Sequence, residues 1–523
     1  MLKIDIGRNL LDQANSNRIN GEYLEAQKLY SEILSANPCD TEALLGVGII
    51  AQKLNSFDIS LSFFSTVISI DRHHEEAFFQ RGKTHFLAKN YKLAVADFTS
   101  TLNRNPSYVS ALNSRGIANS QLLNFSCAVK DFEKAIEICP SNADLFYNRG
   151  LAHWNLKNYQ AAIHDYTSAI ELQPNYYQAF NNRGSAWREL ADFKMALKDF
   201  EASTSLNKDF AEGYFNQSLI HLMNGEYEKA WPLYEYRWDS KHFPSEKRNF
   251  SEPIWRGEQP ITGKTILIHS EQGLGDTLQF CRYLNLLSEE KCNILVEVEK
   301  PLLSIMRCLL PQENIFQKGS VLPNFDFHCP MLSLPLVFGT SINSVPFPKP
   351  YLKARHDRFI WWKNYLSEAK KLRIGICWRG NPNHPNDERR SMCLEDIIDT
   401  LEPEFDWFSL QFEVTEEEAS IIDNFTHIQC FSSLLGDFSE TAAFCQNLDA
   451  IICVDTSIAH LAGSIGSKTY LLLAQLADSR WHAGGNSSPW YNSVTILRQD
   501  CDTDYRALLR QAQMQIRKQK KRF

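Results

Sequence analysis

Residues 82–116 read GKTHFLAKNYKLAVADFTSTLNRNPSYVSALNSRG, and their spacing decides the first half of the chain. Gly82 opens the stretch, Ala94 follows twelve residues later, Phe98 four further on and Pro106 eight beyond that. Gly116 then restarts the count after 34 residues. The register runs through Gly48, Gly82, Gly116, Gly150 and Gly184, through Ala94, Ala128, Ala162 and Ala196, and through Phe98, Phe132, Tyr166 and Phe200. Pro106, Pro140 and Pro174 close three of the units. One period before Gly48 come Ala14, Ala26, Tyr30 and Pro38, and one period after Gly184 come Ser218, Ala230 and Tyr234. Packing explains the pattern. A small residue lets one helix lie close against the next, and an alanine and an aromatic four apart share one face of the second helix. Proline stops that helix and opens the next unit.

The pattern resembles the tetratricopeptide repeat (TPR) over about residues 7–240, in about six to seven units stacked as an α superhelix. The first and last units depart from it, as capping repeats do. Such a superhelix offers its concave face to an extended peptide or a helix. Two places before the small residue stand Asn148, Asn182 and Asn216, with Gln80 and Ser114 in earlier units. The resemblance implies that this position faces the groove, where an amide can donate to and accept from a peptide backbone, as in the repeats of O-GlcNAc transferases. The competing reading is solvated asparagine or local capping. Arg81, Arg115, Arg149 and Arg183 read as structural, an aliphatic stem over the neighbouring helix with its guanidinium in water.

Length, composition and charge bound the rest. The 523 residues suggest about three domains. Hydrophobic residues at 44% are enough for sizeable cores, and a net charge of −8 argues against nonspecific nucleic-acid binding. The 13 cysteines are scattered with no C-x-x-C spacing, so no metal site is expected and reduced thiols in a cytoplasmic protein are. The first residues, MLKIDIGRNLLDQANSN, lack the apolar run of a signal peptide, and no stretch is long enough for an integral membrane segment. The tail RKQKKRF reads as a solvated basic end, with contact to an anionic membrane as the alternative. Self-association is left open.

Residues 241–262 lose helical periodicity and read as a linker. Beyond it, strand-like TILIHS (265–270) and NILVEVE (293–299) alternate with helix-like segments. The pattern restarts with RIGICWRG (373–380), DWFSLQ (406–411), THIQCF (426–431), DAIICVD (449–455) and KTYLLLA (468–474). Such alternation implies parallel sheets covered by helices, here an α/β pair of Rossmann-like lobes at 263–350 and 351–523, the second ending in a helix. Ligands of such folds bind beyond the C-terminal strand ends.

Two loops carry the chemistry. Gln272-Gly273-Leu274-Gly275-Asp276-Thr277 follows a strand and opens a helix, where glycines admit close approach and helical amides are unpaired. Asp276 alone would read as a helix cap. Asp455-Thr456-Ser457-Ile458-Ala459-His460 also follows a strand and opens a helix. The Thr456 and Ser457 hydroxyls and the first amides suit a diphosphate, and His460 lies on the face of Ser457.

Together the two loops resemble glycosyltransferase family 9, the heptosyltransferases of the two-lobed GT-B fold, over about residues 260–500. Gly275-Asp276 matches that family's Gly-Asp, and Asp455-Thr456-Ser457-x-x-His460-x-Ala462 its second motif, with Ser457 in place of the usual glycine. Bacterial proteins that join TPRs to this domain share GKTILIHSEQGLGDTLQF, the pattern from Trp378 to Ser391 and the SPWY near Trp490. The resemblance implies metal-independent, inverting transfer of a sugar from a nucleotide-sugar substrate, with no further cofactor. Asp276 is then the base for the acceptor hydroxyl. Gly273, Gly275, Asp455, Thr456, Ser457, His460 and one or more of Arg379, Arg389 and Arg390 bind the donor. Asn381, Asn383 and His384 are weaker candidates in the same polar loop, and Trp481 and Trp490 border the pocket. By analogy with TPR-linked transferases, the acceptor is a protein such as flagellin held in the repeat groove, bound through Asn148, Asn182 and Asn216. A lipopolysaccharide or polysaccharide acceptor, and a noncatalytic scaffold, are the alternatives.

Overall fold

A computed structural model describes residues 2–241, 243–368, 371–384, 386–425, 428–500 and 503–520. Two compact units emerge, Met1–Lys208 and Asp209–Phe523. The last three residues of the basic tail, and the first two of the strand expected at 426–431, lie outside the described residues.

Among the described residues the first unit holds twelve helices in six helix–turn–helix pairs, from Leu2–Asn20 with Tyr23–Ala36 to Tyr177–Glu189 with Phe193–Leu206. The in-register small residues and aromatics meet as the spacing predicts. A Cβ on Gly48, Gly82, Gly116, Gly150 or Gly184 would come within 2.6–2.8 Å of the ring sixteen residues later. The turn inside each pair also has a period. Gly21, Asn55, Lys89, Leu123, Lys157 and Ala191 all take the left-handed conformation, φ between 58° and 86°, each 34 residues from the last. Five of these six positions carry side chains, so residue type did not mark the turn.

The arginine series is structural but its guanidiniums are not in water. Each of Arg81, Arg115, Arg149 and Arg183 forks onto an aspartate sixteen residues later (Asp97, Asp131, Asp165, Asp199) through two bonds of 2.6–3.0 Å. Those aspartates are buried, 1–6% exposed, and a buried carboxylate needs such a partner.

The second unit opens with a seventh pair in the same period, Ala211–Met223 and Tyr227–Tyr234, with Gly225 at the left-handed turn. It keeps the repeat register inside the expected 1–240 and packs into the second compact unit, with the sheets. The reason is its apolar face. Tyr227 stacks on Trp490, Trp231 meets Phe280 edge-on, and the Trp231 indole N–H donates to Thr340 O at 2.9 Å. The stretch 241–262 is likewise tied down rather than a bare linker. Arg248 forks onto buried Glu297, and the Trp255 amide donates to His328 O.

Two all-parallel sheets follow. The first comprises β1 (Thr265–His269), β2 (Asn293–Val298), β3 (Ile315–Gln317) and β4 (Phe327–Pro330), in the order β3-β2-β1-β4. The second comprises β5 (Leu372–Cys377), β6 (Phe405–Ser409), β7 (Ile428–Cys430), β8 (Ala450–Val454), β9 (Thr469–Leu473) and β10 (Val494–Arg498), in the order β10-β9-β8-β5-β6-β7. β3, β4 and β10 were not expected. β3 has three residues and β4 ends in proline, so neither shows a period. The helix Tyr505–Lys520 covers the second sheet with Leu508, Leu509, Ala512 and Ile516, and Arg517 in the basic tail pairs with Glu402 and Glu404. Chain order reverses beside β1, between β2 and β4, and beside β5, between β6 and β8. Crevices at such switch points hold ligands in open α/β sheets.

Replacing Gly150 by alanine drives a methyl into the Tyr166 ring, 2.7 Å away, and is expected to cost the first unit about 1–3 kcal/mol. Denaturant unfolding of the full chain checks this, and an unshifted midpoint would contradict the packing.

Candidate functional site

Both sequence loops stand at the switch points: Gln272–Asp276 follows β1, and Asp455–Ser457 follows β8. They meet. A Cβ on Gly275 would lie 2.7 Å from His460 Cδ2, so glycine there lets the first loop press on the second loop's helix. Gly275 is required by a side chain of the protein itself, which the expectation of ligand approach did not include.

Asp276 lies in the first turn of the helix Leu274–Phe280, 9% exposed. Its Oδ2 accepts the Gly273 amide at 2.9 Å, so the capping role is present. Its Oδ1 accepts from the Arg480 guanidinium, which also pairs with Asp478 at 2.6 Å and donates to Gln272 Oε1 at 3.0 Å. Burial raises the Asp276 carboxyl above the usual carboxylate range, and Asp478 adds to this; Arg480 and the Gly273 amide pull it back without cancelling it. Of the two opposing effects at a buried helix start, desolvation therefore outweighs the amides.

Across from it, Thr456 caps the helix Ser457–Ile465 with its backbone while its side chain makes no capping bond, and its hydroxyl lies 3.8 Å from the Cys377 thiol. Ser457 opens that helix half-buried. Asp455 accepts the Trp481 indole N–H at 2.8 Å, and its carboxyl is raised by burial and by Asp478. His460 stacks on Trp481 with ring centres 4.9 Å apart, and its Nδ1 lies 3.0 Å from the Tyr491 hydroxyl. Burial, then Arg480, pushes the imidazole down to about 3, so His460 is neutral at physiological pH and serves as a hydrogen-bonding group rather than a charge.

The arginines separate. Arg390 joins the site: its Nη1 donates to Asp455 O at 2.9 Å and its Nε to Asp387 at 3.1 Å, packed over Gly380. Arg379 does not, because its fork is held by Glu418 at 2.8 and 2.9 Å and by Glu413 O at 2.6 Å. Arg389 is half-buried, and its carbonyl accepts the Tyr505 hydroxyl. Asn381 and His384 are exposed and cap their own loop, accepting the Asn383 and Asn386 amides. Trp481 floors the site, whereas Trp490 is core, packed on Tyr227 and Phe280. Among the described residues no group of three His, Cys, Asp or Glu side chains is placed to hold a metal ion.

Sequence reasoning missed Arg480 and Asp478, and named Gln272 in its loop without a role. Both missed residues lie in the loop after β9, and the rule that ligands gather beyond C-terminal strand ends pointed there.

The asparagines of the ladder have partners within the protein, and Asn148 and Asn182 are half-buried. Asn148 Nδ2 donates to Asn113 Oδ1 and Asn182 Nδ2 to the Tyr147 hydroxyl, both at 3.0 Å and both 35 residues earlier. These amides join adjacent repeats. Asn216 is buried in the second unit.

The chain carries tetratricopeptide repeats: the model described as tetratricopeptide repeat matches residues 143–176, and that described as TPR repeat matches 124–157. Protein FlbA of Caulobacter vibrioides is 23% identical over 306 residues, 54% of this chain and 50% of that one, so the chain spans about half the length of this curated relative. Among solved structures, YrrB, a TPR protein with an unusual peptide-binding site, is 16% identical with a TM-score of 0.33, covering 35% of this chain and 95% of its own. The C-terminal part of a TPR repeat-containing protein of Cytophaga hutchinsonii is 18% identical with a TM-score of 0.38, covering 43% and 93%. No described helix is long and apolar enough to cross a membrane.

The His460 ring is expected to stay neutral from pH 8 down to pH 5, because burial lowers it to about 3. Nitrogen-15 NMR of the imidazole reads this directly, and a midpoint near 6.5 would contradict the burial.

Proposed function

We propose that the chain is a glycosyltransferase with a two-lobed GT-B domain that passes a sugar from a nucleotide-sugar donor to a protein acceptor recruited by the repeats. One observation carries the reading: the loops after β1 and β8 meet at Gly275 and His460, and the 478–481 segment contacts the carboxylates of both, Asp276 and Asp455. Two parallel sheets thus bring together the loops at their switch points, the place where open α/β sheets hold ligands, which supports a nucleotide site here.

In this reading the acceptor hydroxyl gives its proton to the Asp276 carboxylate. The acceptor oxygen forms a bond to the anomeric carbon as the carbon–oxygen bond to the diphosphate breaks, and the electron pair leaves with the diphosphate. Configuration inverts because attack and departure are on opposite faces. A carboxyl raised by burial is a better base than a solvated one. The charge growing on the diphosphate is met by the Thr456 and Ser457 hydroxyls, the first amides of their helix and Arg390. Neutral His460 hydrogen-bonds the donor without adding charge. The repeats support the protein acceptor, since stacked units of this kind offer a peptide-sized concave surface.

The test is incubation of the full chain with UDP-, GDP-, ADP-, dTDP- and CMP-linked sugars, reading free nucleotide and, with candidate surface proteins such as flagellin, mass gain on the acceptor. Asp276→Asn is expected to lower turnover by about 100-fold or more. Its melting temperature should not fall, because ionised Asp276 is held at a cost in the native state. A saturating nucleoside diphosphate, at 100 times its Kd, is expected to stabilise the wild type by about 2.7 kcal/mol. Neither turnover nor stabilisation across the panel would overturn the reading, and mass gain only on a lipid-linked glycan would move the acceptor to that class.

A further inference from the structure

Tyr234 holds the place in the seventh helix pair that Tyr30, Phe64, Phe98, Phe132, Tyr166 and Phe200 hold in the first six. That place is a packing position: the rings at 64, 98, 132, 166 and 200 each fill the space left by a glycine on the partner helix. Phenylalanine occupies it in four of the six earlier pairs, so a hydroxyl is not needed for packing. The Tyr166 hydroxyl is buried with no partner, and the Tyr30 hydroxyl donates to Asn15 within its own repeat. Tyr234 differs. Its hydroxyl accepts from Gln272 Nε2 at 3.0 Å, outside the repeat and in the loop after β1. The other end of the same amide, Gln272 Oε1, accepts from Arg480 Nη2 at 3.0 Å, and that nitrogen also donates to Asp276.

We infer that Tyr234, the packing aromatic of the last repeat, is a positioning residue of the transferase site, acting through Gln272 and Arg480 on the Asp276 carboxylate. The inference rests on the transferase reading above. The amide of Gln272 has one donor end and one acceptor end, and both are used in line. Fixing its donor end on Tyr234 fixes the direction of its carbonyl, and so the place where Arg480 can stand. Arg480 is one-fifth exposed and has Asp478 as a second partner, so without this carbonyl it can turn toward Asp478. The last repeat is then part of the chemistry's scaffold. Removing the repeats upstream of it would spare the site, and removing the seventh pair would not.

The charges around Asp276 set the sign of the effect. Its own helix supplies the Gly273 amide, the 478–481 segment supplies Arg480 and Asp478, the Ser457 helix supplies neutral His460, and the seventh pair supplies Tyr234, with Arg237 and Glu271 paired behind it. Loosening Arg480 withdraws the cation and leaves burial and Asp478, so the Asp276 carboxyl moves further up.

The experiment compares the wild type, Tyr234→Phe and Gln272→Leu in the full chain. Release of nucleotide is measured from pH 5 to 9 with whichever of the UDP-, GDP-, ADP-, dTDP- and CMP-sugars the wild type turns over. Both variants are expected to lose about tenfold in kcat with little change in donor KM, and the acidic limb of the profile to move up by about one pH unit. Tyr234→Phe should keep the wild-type melting temperature, since phenylalanine fills the equivalent place elsewhere. Should it unfold, half-buried Gln272 provides the deciding variant. Profiles that superimpose on the wild type overturn the inference and leave the transferase reading intact. A wild type that turns over no donor overturns the transferase reading, and the inference with it.

Discussion

A guanidinium shared between the buried Asp276 carboxylate and the partly exposed Asp478 carboxylate ties the second unit's two sheets together. Arg480, from the loop after β9, pairs with Asp478 in its own loop and with Asp276 in the loop after β1. One cation offsets one anion taken out of water and a second that is one-third exposed. Loss of the arginine would leave uncompensated buried charge, which is costly, whereas an apolar replacement of all three could be neutral. The neighbouring contacts depend on it. With Arg480 in place, Trp481 lies against His460 and on Asp455, and His460 fills the space that a side chain on Gly275 would need.

Arg282 is a second clamp on the same interface, with different chemistry. It is fully buried and donates to neutral oxygens, among them Gln279 O at 2.7 Å, Trp490 O at 2.9 Å, the Tyr351 hydroxyl at 3.1 Å and Pro346 O at 3.2 Å. The Tyr351 and Tyr491 rings lie within 4.9 Å of its guanidinium carbon. Tyr491 in turn carries the hydroxyl that meets His460. Arg480 and Arg282 therefore both hold groups next to the two loops, Asp276 by the first and Tyr491 beside His460 by the second. Side chains held this way keep their places, and fixed groups are what the proposed stabilisation of developing charge requires.

The repeat was legible because its period is a packing rule written in residue type: a glycine against a ring, sixteen residues apart. Its turns were not, because Asn55, Lys89, Leu123, Lys157 and Ala191 take the left-handed conformation with side chains that carry no such signal. The Arg–Asp ladder was half legible. The arginines stood in register, but nothing in one residue's type says that its partner on the next helix is buried. Seven strands followed from apolar runs, whereas three-residue β3 and proline-ended β4 are defined by their neighbours. In the site, the two glycine- or hydroxyl-bearing loops were readable as motifs. Arg379 was not separable from Arg390 by sequence, since what distinguishes them is Glu418, 39 residues from Arg379 in the chain and adjacent in space. The line from Tyr234 to Asp276 was unreadable for the same reason.

The repeats and the sheets are joined through a helix pair that obeys both sets of rules. Ala211–Met223 and Tyr227–Tyr234 keep the repeat's register, and their apolar face is spent on Phe280, Thr340 and Trp490. The central claim is that the loops after β1 and β8 form one nucleotide-binding pocket. Amide hydrogen exchange of the full chain with and without UDP, GDP or ADP tests it most directly. For at least one nucleotide, exchange should slow in both 272–280 and 455–465. Slowing confined to one of these segments, or lying wholly elsewhere, would contradict the account.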